Sequence, residues 1–290
     1  MRFKIVDKTQ LAKFLAVAPG EIDYVISRLH RFYRPKPIRK PDGSTRMLHV
    51  PQGKLVLLQE KIKRHILDEF QWLPCVHGGI KNRSILSNAD PHVDKNIVFS
   101  LDVKDFFPSV GPNRVFAIFT GLGFGQEPAR ILTRVTTWKH QLPQGTKTST
   151  ALANLSLIRV DWRIERLAER YGFSYTRFVD DLTLSGDWRL LKFRKLVQRI
   201  LESEGFSVRL SKVRTMPRGS RQTVTKLVVN EKVNATREQR ESIRADVLAH
   251  IQADNSVPDP RLLGRVYWLR YINLTVGERL AERVGRITLQ

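Results

Sequence analysis

Tyr175-Thr176-Arg177-Phe178-Val179-Asp180-Asp181-Leu182-Thr183-Leu184-Ser185-Gly186 is the stretch around which the rest of the chain organises itself. Apolar and β-favouring residues run into an acidic pair and out of it again, and a glycine closes the segment. That pattern predicts a β-hairpin with two carboxylates at its tip. Adjacent acids repel each other unless positive charge lies near, and a hard divalent cation such as Mg²⁺ takes carboxylate oxygen. Seen alone, an Asp-Asp pair is more often a solvated turn. What the other residues supply decides between the two readings.

Lysine and arginine number 50 against 28 acids in 290 residues, a formal charge of +22 on a chain that is 41% hydrophobic. Solubility asks a small domain for a net charge of only about 2–8. A folded protein with this surplus is built for a polyanionic partner, nucleic acid first of all. No apolar run is long enough to span a bilayer and the N-terminus has no signal-peptide core, so the expectation is an intracellular protein without a membrane partner. Cys75 is the sole cysteine, which excludes a disulfide framework and a zinc knuckle.

Working back from the hairpin, Ile97-Val98-Phe99-Ser100-Leu101-Asp102-Val103 alternates. Ile97, Phe99, Leu101 and Val103 share one strand face, and Ser100 and Asp102 share the other. Between them, Thr148 to Arg170 reads as one helix with Leu152, Leu155, Ile158, Trp162 and Leu167 along a single face. Nearer the N-terminus, Pro35 to Arg46 holds three prolines and an Asp-Gly pair, a loop or a hairpin between extended arms. A helix stripe follows at Leu55, Leu58, Ile62 and Ile66. From Arg31 to Arg64 ten basic residues face two acids, Asp42 and Glu60, which suits a phosphate track. Beyond the hairpin, Leu190 to Glu204 is expected to be helical and Phe206 to Val213 extended. Gly205 to Asn230 carries six basic residues and no acid, and the last sixty residues are helical with an aromatic cluster at Tyr267, Trp268 and Tyr271.

If the strand of Asp102 lies beside the hairpin of Asp180 and Asp181, carboxylates from both converge. Such a set can hold two Mg²⁺ ions about 3.5–4 Å apart for in-line phosphoryl transfer. Spacing does not separate nuclease from polymerase. Phe106 and Phe107 are suited to walling off a sugar, Lys40 and Arg46 to gripping a triphosphate, and Gln144 offers an amide before a helix.

In content and order these motifs resemble the reverse transcriptase family, over roughly residues 33–230. Leu101-Asp102-Val103-Lys104-Asp105-Phe106-Phe107-Pro108-Ser109-Val110 is similar to its first catalytic motif, Leu142-Pro143-Gln144-Gly145-Thr146-Lys147-Thr148-Ser149 to its second, and Phe178-Val179-Asp180-Asp181 to its third, with phenylalanine where tyrosine is usual. Arg39 to Arg46 is similar to the fingers hairpin that clamps the triphosphate, and Lys212 matches a later lysine that assists pyrophosphate departure. The resemblance implies an α+β right-hand polymerase, with fingers at 1–95, palm at 96–232 and a short helical thumb at 233–290. It further implies Asp102 and Asp180 as the principal metal ligands with Asp181 completing the site. Phe107 would be the gate against a ribose 2′-hydroxyl and Phe106 packing, while Lys40, Arg46 and Gln144 hold the nucleotide. For Lys212 a phosphate contact on the primer stands almost level with a catalytic role.

A narrower resemblance is to bacterial retron reverse transcriptases. Asn88-Ala89-Asp90-Pro91-His92 matches their Asn-Ala-x-x-His element, and Val224-Thr225-Lys226 departs from their Val-Thr-Gly by a lysine. That lysine is expected to remove any need for positive φ and to add a phosphate contact. The resemblance implies Asn88, His92, Thr225 and Lys226 at the RNA, and priming on a specific structured non-coding RNA with dNTPs as substrate. It also implies an RNA-linked DNA product, antiphage defence with an effector protein as a further partner, and the bacterial cytoplasm as the location. The rivals are another defence or mobile-element reverse transcriptase that polymerises without a template, a maturase-like RNA-binding protein, and a two-metal nuclease.

Overall fold

The computed structural model describes residues 3–39, 43, 45–253 and 259–288. The proline-rich stretch folds as the expected hairpin, β1 (Tyr33–Arg39) against β2 (Thr45–Pro51), in antiparallel register. A four-stranded antiparallel sheet carries the acidic hairpin. It is built from β3 (Ile97–Asp102), β4 (Ser174–Phe178), β5 (Asp181–Gly186) and β6 (Arg214–Pro217), in the order β4-β5-β3-β6. Three short strands, β7 (Thr223–Val224), β8 (Leu227–Val228) and β9 (Asn234–Ala235), form a separate antiparallel sheet.

The alternation of β3 places Ile97, Phe99 and Leu101 in the larger core, among helices 112–121, 126–136, 149–156, 158–171 and 190–203. Its other face is not simply solvated. Val98 is fully buried in a second core with Met216, Val224, Leu227 and the apolar stripes of helices 237–252, 260–272 and 274–288. The sheet is therefore covered on both sides at its far end and open only toward Asp102. Thr236 caps the first of the three C-terminal helices, its hydroxyl accepting from Gln239 N while Gln239 reaches back to Thr236 N.

The single helix expected over 148–170 is two, Ser149–Ser156 and Ile158–Tyr171. The Asn154 carbonyl accepts from Leu157 N at 3.2 Å and from the buried Arg177 Nη2 at 3.4 Å, so a tertiary donor competes for the ladder at the break. The phase shift turns Trp162 outward, 52% exposed beneath the Arg166 guanidinium, and Val160, Ile164 and Ala168 become the inner face.

Among the described residues, no helix is long and apolar enough to cross a membrane.

Candidate active site

Antiparallel pairing of β3 with β5 sets Asp102 opposite Asp181, the last pair of that ladder. Directly paired residues stand about 4.5–5.5 Å apart at Cα. Asp180 lies one residue back, in the two-residue turn that joins Phe178 to its partner Asp181. Its carbonyl accepts from Val103 N at 2.9 Å, which ties the turn to the end of β3. The two β-elements thus deliver their acids to one end of one sheet. Burial, then the charges of Asp180 and Asp102, push the Asp181 carboxyl up to about 7, and Lys212 and Arg214 pull it partly back. Three acids this strongly coupled form a set whose repulsion a hard divalent cation would relieve.

Cations already face Asp102. Lys212 Nζ lies 3.0 Å from Oδ2 and Arg209 Nε 3.4 Å from Oδ1. The carboxylates do not stand wrapped around a common point: among the described residues, no three His, Cys, Asp or Glu side chains are gathered as a metal-binding group. The convergence is one of backbone register.

The turn itself is held under strain. Val179 has φ +60°, a left-handed conformation that a β-branched residue rarely adopts. Two features of the sequence that the motifs did not single out impose it. Gly78 packs so close that a Cβ there would meet Val179 N at 2.4 Å. Arg177 is fully buried and donates to Val179 O and Asn154 Oδ1, each at 2.7 Å, and to both oxygens of Asp161 at 2.7 and 2.6 Å. Tyr175 Oη adds a third donor to Asp161 at 2.7 Å. A buried ion pair this completely hydrogen-bonded fixes the backbone on either side of it. Its one sequence signal is an arginine two residues after Tyr175, on the same face of a short strand.

The remaining expected residues divide. Phe106 is buried against Phe206 and Phe107 is half-buried beside it, their ring centroids 5.9 Å apart. Gln144 is half-buried with its Oε1 shielded and, among the described residues, unpaired, and its carbonyl accepts from His49 N of β2, which ties the hairpin to this segment. Lys40 falls outside the described residues. Arg46 is placed by its backbone in β2, opposite Ile38. Thr225 and Lys226 line a cavity of about 630 Å³ together with Asp102, Asp180, Asp181 and Lys212, and Gln239 and Trp268 close it from the C-terminal helices.

Two expectations are corrected. Thr225 and Lys226 have φ +46° and +67°, so lysine does not release this position from positive φ. The Val224–Leu227 pair leaves a two-residue turn, and the twist of the hairpin demands left-handed residues there whatever the side chain. Asn88 and His92, expected at the RNA, are fully buried within the fold. His92 bridges two strands of the acidic hairpin, Nδ1 to Ser185 Oγ and Nε2 to Thr176 Oγ1, each at 2.7 Å. Burial, aided by Lys95 and His77, lowers its pKa to about 3. Asn88 accepts from Thr176 Oγ1 through its carbonyl at 3.1 Å, while its side-chain amide is buried without a partner.

Residues 38–241 match the family model described as reverse transcriptase (RNA-dependent DNA polymerase). The Retron Mx65 reverse transcriptase of Myxococcus xanthus is 33% identical across 98% of this chain and 75% of its own length. The Retron Ec86 reverse transcriptase of Escherichia coli is 36% identical across 84% of this chain and 76% of its own. Among solved structures, that of telomerase from Candida albicans with a fragment of telomeric RNA superposes with a TM-score of 0.52 at 12% identity, over 75% of this chain and 50% of that one, a likeness of fold. Mixed α/β architecture, antiparallel sheets and the right-hand polymerase fold agree with that match. The chain belongs to the reverse transcriptase family, the RNA-directed DNA polymerases, and its similarity runs to the retron type.

Proposed function

We propose that this protein uses Mg²⁺ at Asp102, Asp180 and Asp181 to copy a specific structured non-coding RNA into DNA that stays joined to RNA. The observation that carries the proposal is the register of β3 on β5, which sets Asp102 against Asp181 with Asp180 in the adjoining turn. When bound, a pair of divalent ions supplies the charge that activates the attacking hydroxyl and neutralises the pyrophosphate. The chain's own residues do the rest. A hydroxyl oxygen of the primer bonds to the α-phosphorus as the bond to pyrophosphate breaks. The hydroxyl proton passes to solvent, and Lys212 holds or protonates the departing oxygen.

Lys40, Arg46 and Gln144 grip the incoming dNTP, and Phe107 stands where a 2′-hydroxyl would intrude. Thr225 and Lys226, across the cavity from the acids, take backbone phosphate of the nucleic acid. Residues 1–95 act as fingers, 96–232 as palm and 233–290 as thumb. The biological setting is antiphage defence in the bacterial cytoplasm, with an effector protein as a further partner.

Asp180→Asn with Asp181→Asn tests the metal role. Extension of a primed RNA template in Mg²⁺ should vanish while RNA affinity stays nearly intact; undiminished synthesis refutes it. Phe107→Ala should admit ribonucleotides, measured as the ratio of rNTP to dNTP incorporation. Sequencing the nucleic acid that copurifies with the protein tests the template: the expected result is one defined RNA joined to DNA.

A further inference from the structure

The acid that opens the first motif is not the only one its neighbours hold. Asp105 sits at φ +45° just before helix 106–109, the position of an N-cap, yet its side chain makes no capping bond. It accepts instead from Arg209 Nη2 at 3.0 Å. Arg209 is thereby suspended between two carboxylates, tied to Asp105 by a hydrogen bond and leaning on Asp102 by charge alone, Nε to Oδ1 at 3.4 Å. Its backbone is pinned as well, since Arg209 N donates to Asp102 O at 2.8 Å. Three residues on, Lys212 covers the other oxygen of Asp102. The two cations belong to one short segment, 209–212, whose Leu210 is 75% exposed.

We propose that Arg209 is a phosphate-gripping residue held beside Asp102 by Asp105, which leaves Asp102 and closes on the nucleotide's β- and γ-phosphates as divalent ions take the carboxylate. The inference rests on the proposed metal role of Asp102. Its logic is charge exchange. A guanidinium 3.4 Å from a carboxylate oxygen opposes a divalent cation arriving at that oxygen. The same cation brings with it a triphosphate, and a planar fork of donors suits phosphate better than a single carboxylate oxygen met at long range. Asp105 keeps the arginine within reach during the exchange, so only the side chain must swing. With side chains 35% and 64% exposed, the Arg209–Asp105 pair adds little to stability and can be cut without unfolding the protein.

Two probes separate this role from a structural one: Mn²⁺ binding to the full chain without nucleotide, followed by its electron paramagnetic resonance, and inhibition of extension by inorganic pyrophosphate. Arg209→Gln should bind Mn²⁺ about threefold to tenfold more tightly, because a competing charge is gone. It should bind pyrophosphate roughly tenfold more weakly and raise the KM for dNTP in proportion. Arg209→Lys should recover part of the pyrophosphate affinity. Asp105→Asn should move both affinities downward, since the arginine loses its tether and settles on Asp102. Unchanged or weaker Mn²⁺ binding in Arg209→Gln, or unchanged pyrophosphate inhibition, overturns the proposal. Asp102→Asn is the control for the reading beneath it: if that variant binds Mn²⁺ as well as the parent chain, the metal role of Asp102 has failed instead.

Discussion

Two tight turns contribute residues to the lining of one cavity, and both break the same rule. Val179 in the β4–β5 turn and Thr225-Lys226 in the β7–β8 turn occupy the left-handed region that two-residue hairpins normally reserve for glycine or asparagine. They are held by different means. Val179 is fixed from behind by a buried arginine with its donors spent on Asp161, Asn154 and Val179 itself, and from the side by a glycine that tolerates no Cβ. The 225–226 turn has a single long side-chain bond, Thr225 Oγ1 to Ile85 O at 3.3 Å, and Lys226 is exposed. In the first turn the surroundings impose the strain in order to place the next residue, Asp180. In the second the two-residue turn itself demands the left-handed backbone, and little else holds it.

Cutting the support of the first turn should have the largest effect. Arg177→Ala leaves the buried Asp161 with only the Tyr175 hydroxyl and no counter-charge, and should cost about 3–5 kcal/mol in urea unfolding. A loss below about 1 kcal/mol would mean the network does not hold the turn. Gly78→Ala drives a Cβ into Val179 N and should destabilise by about 1–3 kcal/mol. The same change should slow extension by displacing Asp180 while leaving RNA affinity alone; wild-type rates would show that Asp180 can move freely.

His92 clamps the two strands of the first turn's hairpin and makes the stability of the fold depend on pH. Its folded pKa of about 3 lies below the ordinary value of 6.5. The unfolded chain therefore binds the proton first as pH falls. The stabilising contribution is complete above about 6.5 and is lost as pH drops toward 3, by at most about 1.4 kcal/mol per pH unit. His77, lowered to about 4, adds in the same direction. His92→Gln should flatten the slope of unfolding free energy between pH 6.5 and 4.5, and a slope as steep as the parent's would exclude His92 as its source.

The second turn should respond with the opposite sign. Lys226→Gly relieves positive φ and should raise stability by about 1 kcal/mol. It should also weaken nucleic-acid binding and lower the salt slope of the affinity by about one phosphate contact. A variant that gains stability and keeps its affinity would leave the lysine without a purpose.

Much of the fold was legible because local pattern and global structure agree. Ile97 to Val103 alternates and becomes β3, Pro35 to Arg46 breaks helix and becomes the β1–β2 hairpin, and Leu190 to Glu204 gives the helix 190–203. The acidic set was legible for a related reason: Asp102 ends a strand and Asp180 closes a tight turn, so only pairing was needed to join them. The failures lie where distant groups overrule local preference. Periodicity carried the helix of residue 148 straight through Leu157, but Arg177 reaches the Asn154 carbonyl from another strand and the phase changes. Asn88 and His92 have polar side chains and were expected at RNA, yet the sheet buries them, and His92 spends both ring nitrogens on β4 and β5.

By itself the sequence determined which segments extend and which coil into helices, which acids exist to be brought together, and the positive charge that suits a polyanion, because these follow from side-chain period, turn chemistry and charge count. Only the tertiary structure decided that β5 lies against β3 with Asp181 opposite Asp102, that a buried Arg177 holds the strained valine, that Lys226 keeps a left-handed backbone, and that Arg209 stands between two acids. The residues that decide these features lie as far as 107 positions apart, as Arg209 and Asp102 do, and even the short step from Arg177 to Val179 is fixed by the distant Asp161, Asn154 and Gly78. Such partners are chosen by packing and by the register of the sheet, not by local pattern.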